Sequence, residues 1–256
     1  MKRIIKHSSI GILFAMLFSL FFGSKVSAQN PAEILDRMEN VMRGESNYSE
    51  MTMQIIRPRF EREMSIRSWM LGRDYSMILI TAPSRDRGTA FLMRESDIWN
   101  YDPRVDRTLR LPSSMMSQSW MGSDFTNDDL VRDSDIVDDF EHTLLRTEAY
   151  ADREAYVIEL IPKPGTPIVW GKVLMWICKD EYIQLRVENF DQRGEIANTM
   201  KLDEIKRFGD RNLPARITVI PANRENEKTV LTYQKLEFGV DLSPGFFTQQ
   251  NMTRLR

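Results

Sequence analysis

The 256-residue sequence contains a single cysteine, Cys178, so the chain cannot close a disulfide on itself. Cys178 sits in "VLMWICKD", where burial as a small apolar side chain is its expected role. Histidine is almost as scarce, with His7 and His142 the only two. That leaves no pair of imidazoles and no Cys/His spacing for a metal centre. A Ser-His-Asp arrangement would have to rest on His142, but no G-x-S-x-G elbow accompanies it, and His142 reads as a hydrogen-bonded or surface histidine. Phosphate-loop and dinucleotide fingerprints are missing, which removes the common nucleotide chemistries. There is also no excess of positive charge: the formal net charge is −2, which argues against nucleic acid as a partner.

Long apolar runs are absent too, apart from one at the start. Lys2, Arg3 and Lys6 precede an apolar stretch from Ile10 to Phe22, and Val26-Ser27-Ala28 follows as a small-residue cleavage site. This order predicts a removed bacterial export signal over residues 1–28 and a single mature domain over 29–256. No cysteine stands at the cleavage point to take a lipid, so the expected product is a soluble periplasmic protein. Loss of Lys2, Arg3, Lys6 and Lys25 leaves it more acidic than the precursor.

The mature part opens with "NPAEILDRMENVMRG". Asn30 is placed to cap a helix, Pro31 to occupy its first position and Gly44 to end it. Ile34, Leu35, Met38, Val41 and Met42 share one face of that helix. Nearly everything afterwards reads as strand at hairpin spacing, from "MTMQIIRP" to "KTVLTYQKLEF", without helical crossovers. About a dozen antiparallel strands in one sheet must curl, and a curled sheet with helices over its mouth makes a pocket.

The interruption is central. "SSMMSQSWMGSDF" sets three methionines and a tryptophan among serines and glycine, and Thr126-Asn127-Asp128-Asp129 looks like a cap starting a short helix. The acid-rich run from Asp124 to Glu141 lacks the spacing and glycine of a calcium loop. It is expected to be a solvated, capping-rich segment, with paired carboxylates for glycoside or ester cleavage as the sharper alternative. Arg85 and Arg87 beside Gly88, and Arg104, Arg107 and Arg110, mark hairpin ends that are either solvated or a rim for an anionic group.

The pronounced surplus is soft apolar side chains. On the strands, Met51, Met53, Trp69, Met77, Met93 and Trp99 stand as candidate ligand-binding residues, joined later by Trp170 and Met175. Packed core and cavity lining are both open for these. Met115, Met116, Trp120 and Met121 lie in a loop, where apolar residues are unusual, and point to a flap over a ligand with Gly122 as its hinge.

"LPSSMMSQSWMGSDFTNDDLV", "YVIELIPKPGTPIVWGKVLMWI", "LPARITVIPANRENEKTVLTY" and the terminal "FFTQQNM" together resemble the outer-membrane lipoprotein-sorting protein family, the LolA-like periplasmic carriers. The "MGSDFTNDDL" segment is the most specific part and places the chain in a sister branch. The resemblance implies a mainly β, half-open antiparallel barrel with helices covering an apolar cavity. It implies no cofactor and no catalysis. The implied ligands are lipid or lipoprotein acyl chains, passed from an inner-membrane transporter to an outer-membrane acceptor. An accessory of an inner-membrane exporter, presenting a lipid or hydrophobic small molecule, is the alternative within the same compartment.

Overall fold

A computed structural model describes residues 30–132, 136–166 and 168–255. The expected export signal over residues 1–28 lies outside the described residues.

The chain begins with the helix expected from its sequence, α1 (Pro31–Met42). The Asn30 side chain accepts a hydrogen bond from the Ala32 amide at 3.1 Å, and Pro31 supplies the first position. The carbonyls left over at the other end are met from elsewhere in the molecule. Arg211 donates to the Asn40 and Val41 carbonyls at 2.7 and 2.9 Å, and Asn47 donates to that of Arg43 at 2.9 Å. A positive charge there also complements the helix dipole.

Thirteen strands follow in one antiparallel sheet. The first six are β1 (Ser46–Arg57), β2 (Phe60–Leu71), β3 (Tyr75–Ala82), β4 (Ala90–Arg94), β5 (Asp97–Asp102) and β6 (Arg107–Arg110). After the central interruption come β7 (Phe140–Tyr150), β8 (Arg153–Pro162), β9 (Lys172–Cys178), β10 (Gln184–Phe190), β11 (Ile196–Phe208), β12 (Arg211–Pro221) and β13 (Lys228–Phe238). A short helix, α2 (Gln249–Arg254), follows the last strand.

Within each half, consecutive strands are neighbours. The halves join where β1 pairs with β13, so the spatial order runs β6-β5-β4-β3-β2-β1-β13-β12-β11-β10-β9-β8-β7. The edges β6 and β7 do not pair, and the sheet is a half-open barrel. The segment between these edges packs its residues Met116, Trp120 and Phe125 on the concave face.

Side-chain alternation divides the sheet into two faces. On the concave face, Met64, Ile66, Ile78, Ile80 and Phe91 build one core with Met116, Trp120 and Phe125 from the crossing segment. A second concave core gathers Tyr156, Ile158, Leu160, Val173 and Met175 beneath Ile34, Leu35 and Met38 of α1. The convex face of β2–β5 is covered as well. There Met77, Leu79 and Leu92 pack against Phe247 and Met252 from the C-terminal segment. Double-sided burial explains why "MILI" and "AFLM" are unbroken apolar runs and do not alternate.

Leu35 is fully buried between α1 and the second core. Leu35→Ala should lower stability by about 3 kcal/mol, as large-to-small changes in packed cores do, seen as a reduced urea midpoint with an unchanged m-value.

Candidate functional site

The two concave cores touch only partway, through Met200, which packs against both. Between them lies a hollow with two lobes that share Asp129, Met175, Gln184, Leu202, Ile217 and Tyr233 in their walls. The first lobe has a volume of about 260 Å³ and extends past Phe125, Phe140, Ile168 and Trp170. The second has a volume of about 300 Å³ and reaches Met38 and Met42 of α1 and Met51 and Met70 of the sheet. Each is larger than an engineered apolar cavity of roughly 150 Å³ that takes up an organic guest.

The crossing segment forms the cover. Ser113–Met115 makes a 3₁₀ turn, and Trp120–Gly122 makes another inside a tight reversal in which Ser119 and Thr126 bridge. Met121 and Gly122 both take positive φ, at 53° and 80°, to turn the chain back. Trp120 is fully buried and stacks on Phe91 with ring centroids 5.3 Å apart. Its indole N–H has no partner among the described residues. A buried donor left unmatched costs about 1–3 kcal/mol, so closure of this cover is held against a penalty.

Offsetting that penalty is a set of ion pairs at the tip of the cover. Asp124 accepts two hydrogen bonds from Arg57 at the end of β1, at 2.9 and 3.1 Å. Arg224 adds a third at 2.8 Å and Thr229 of β13 a fourth at 2.7 Å. Arg57 also donates to the Gly122 carbonyl, and Arg62 to that of Met121. The Asp124 side chain is 1% exposed and that of Arg57 10%, so water screens little of the attraction. Both carboxylate oxygens are taken, which removes Asp124 from consideration as a hydrolytic acid or base. The expectation of a solvated acidic segment therefore fails over Asp124–Asp128, all five of which are buried.

Below the tip, the expected cap forms as a reciprocal pair. Thr126 Oγ1 accepts from the Asp129 amide at 3.1 Å, and Asp129 Oδ2 accepts from the Thr126 amide at 2.7 Å. The turn that follows, Asp128–Arg132, is a π-helix. Burial pushes the Asp129 carboxyl up to about 6; hydrogen bonds from Thr126 hold it back, nearby Asp128 adds to the rise, and a bond from Trp170 opposes it. Asp129 keeps some accessible surface because it lines the hollow.

Comparison with known proteins identifies this architecture. A family model described as that of an uncharacterized protein matches residues 72–254. A LolA superfamily protein from Nitrosomonas europaea is similar over 87% of this chain and 99% of its own, at TM-score 0.76 and 25% identity. An outer membrane lipoprotein-sorting protein domain from Vibrio parahaemolyticus matches 88% of this chain and 98% of its own, with TM-score 0.79 and 23% identity. The chain belongs to the family that the family model describes, and its fold is LolA-like. A DUF1329 family protein from Desulfovibrio piger ATCC 29098 shares the fold at TM-score 0.80 and 24% identity, over 87% of this chain and 97% of its own. No curated protein matches the chain.

Within this LolA-like frame the residues singled out from the sequence fall into three groups. Met51, Trp170 and Met175 line the hollow. Met53, Met93, Met115, Met116, Trp120 and Met121 belong to the first concave core, where the cover is packed down on the sheet. Trp69, Met77 and Trp99 are placed differently: strand alternation turns them to the convex face, against the C-terminal segment. A soft apolar residue on a strand does not declare its face when both faces are buried. Gly122 is exposed at the reversal, with its carbonyl held by Arg57. The walls missed from the sequence are mostly aliphatic residues of β10–β13, such as Leu202, Ile217 and Leu231, together with Gln184 and Tyr233. Their strict alternation on β11–β13 was the available signal. His142 is hydrogen-bonded as expected, its Nε2–H donating to the Ile136 carbonyl at 2.8 Å. Cys178 is buried.

Two outcomes follow from the electrostatics. Asp124→Ala removes the bidentate partner of Arg57, which keeps Glu227 at 3.3 Å, and should cost about 3 kcal/mol by urea unfolding; a loss below about 1 kcal/mol would show the ion pairs to be ornamental. Asp129 behaves in the opposite sense. Its raised value means that the folded state holds a proton the unfolded chain has already released, so stability falls as pH rises from 3.8 to about 6 and is flat above. The advantage of Asp129→Asn over the parent should therefore grow by up to about 3 kcal/mol between pH 4 and pH 8. A gain independent of pH would contradict the assignment.

Proposed function

We propose that this protein is a periplasmic carrier that shelters the acyl chains of lipoproteins or other lipids in the two-lobed hollow and moves them toward the outer membrane. The observation that carries this reading is the unfilled apolar space between two packed cores, roofed by α1 and the crossing segment. The sorting role named for the Vibrio parahaemolyticus relative supports it. Among the described residues no helix is long and apolar enough to cross a membrane.

Physical chemistry suits such a task. Each methylene moved out of water into the hollow contributes about 0.8 kcal/mol, so holding a chain requires no catalytic group. Release requires a second state. The cover is joined to β1 and β13 by the Asp124 ion pairs, while the unmatched Trp120 N–H opposes closure. Open and closed forms therefore differ by a balance that a bound chain, or a partner touching the cover, can tip. Under this reading Met115, Met116, Trp120 and Met121 make the flap, and donor and acceptor proteins of the two membranes act on it.

Native mass spectrometry of protein prepared without detergent, followed by solvent extraction, tests the reading. Retained lipid is expected. Ile217→Trp, which intrudes on both lobes, should reduce retention about ten-fold or more, the equivalent of two lost methylenes. Trp69→Ala, on the convex face, should leave it unchanged. Protein that carries no lipid and accepts none from vesicles would overturn the proposal.

A further inference from the structure

The walls of the hollow are not uniformly apolar: Asp128 and Asn189 face the first lobe, and Glu39, Arg43, Asn47, Ser49 and Ser68 the second. Of the residues common to both lobes, three are polar: Asp129 from the cover, Gln184 at the start of β10 and Tyr233 in β13. They form the waist at which the two lobes adjoin. The Tyr233 hydroxyl is deeply placed, with its ionisation pushed up by burial, and it hydrogen-bonds to no described residue. The Gln184 amide likewise has no partner among the described residues. Polar groups enclosed by a protein are ordinarily matched, and those left open where they border an empty space are suited to a guest.

Charge narrows the kind of guest. The described residues lining the first lobe include Asp128 and Asp129 and no lysine, arginine or histidine. In the second lobe Arg43 is accompanied by Glu39, itself paired with Arg73 at 2.6 Å. On the first-lobe side an anionic head group would meet Asp128 and Asp129 in a poorly screened interior, whereas a donor head group would meet acceptors; Arg43 acts on Tyr233 from the second-lobe side.

We propose that the waist formed by Asp129, Gln184 and Tyr233 recognises a polar group inside the cavity, and that the ligand is an amphiphile whose head is a hydrogen-bond donor without negative charge, a hydroxyl or an amine. This rests on the carrier reading above and goes further, because a carrier of acyl tails alone would leave every polar group outside. The two lobes take the apolar parts on either side of that group. Asp129 accepts from the head, and Gln184 and Tyr233 complete its hydrogen bonds.

The test uses three probes with the same tail, dodecylamine, 1-dodecanol and dodecanoate, each displacing a fluorescent apolar dye from the full mature chain at pH 7.5. The amine and the alcohol should bind about ten-fold or more tightly than dodecanoate, the effect of one charge-assisted hydrogen bond. Asp129→Asn should bring the amine and dodecanoate to within about three-fold of each other, the charge preference being lost with the carboxylate. The same variant should bind dodecanol nearly as the parent does, which shows that the folded cavity is intact. Equal binding of all three probes would overturn the waist proposal while leaving the carrier reading in place. An unchanged preference in Asp129→Asn would also overturn it. Failure of every probe to bind the parent would overturn both.

Discussion

The pairing of β1 with β13 governs the architecture. It places strands from opposite ends of the chain at the middle of the sheet, and strands flanking the central interruption at its two rims. The segment that links the rims packs Met116, Trp120 and Phe125 on the concave face and so becomes the cover. The same pairing sets Arg57, at the end of β1, beside Thr229 at the start of β13, and the Asp124 carboxylate reaches both. The hinge between sheet halves and the clasp for the cover thus share one location.

The hollow exists because neither core is large enough to fill the curve. Trp120, Phe125 and Met116 occupy one side, and Leu35 and Met38 of α1 the other. Between them the walls are mostly apolar, with polar residues at the waist and along the second lobe. An empty space lined in this way sacrifices packing enthalpy that a filled interior would have gained. The molecule recovers stability at its margins, through capped helix ends, the buried ion pairs and a second apolar layer on the convex face.

Much of this was legible in the sequence. Asn30, Pro31 and Gly44 marked α1 because each residue type has a local reason to stand where it does, and Thr126 with Asp129 marked the inner cap in the same way. Turn residues between apolar runs disclosed the sheet. Two things were not legible. Which face a strand side chain takes depends on what covers the other side, and nothing local to Trp69, Met77 or Trp99 reveals the C-terminal segment lying on them. The burial of Asp124 was hidden for a related reason: its partners Arg57 and Arg224 are far away in sequence and distinguished by no motif. The acid-rich stretch looked solvated because composition reports charge and is silent about pairing.

The layer beneath the C-terminal segment has a consequence of another kind. Phe247 and Met252 shield Met77, Leu79, Ala90 and Leu92 on strands that are already buried on their inner side. Uncovered, β3 and β4 would present a contiguous apolar face on the convex side of the sheet. Apolar patches of that kind are aggregation liabilities. The final turn of helix therefore acts as a guard against self-association, and clipping a handful of residues there would lead to aggregation before it emptied the cavity.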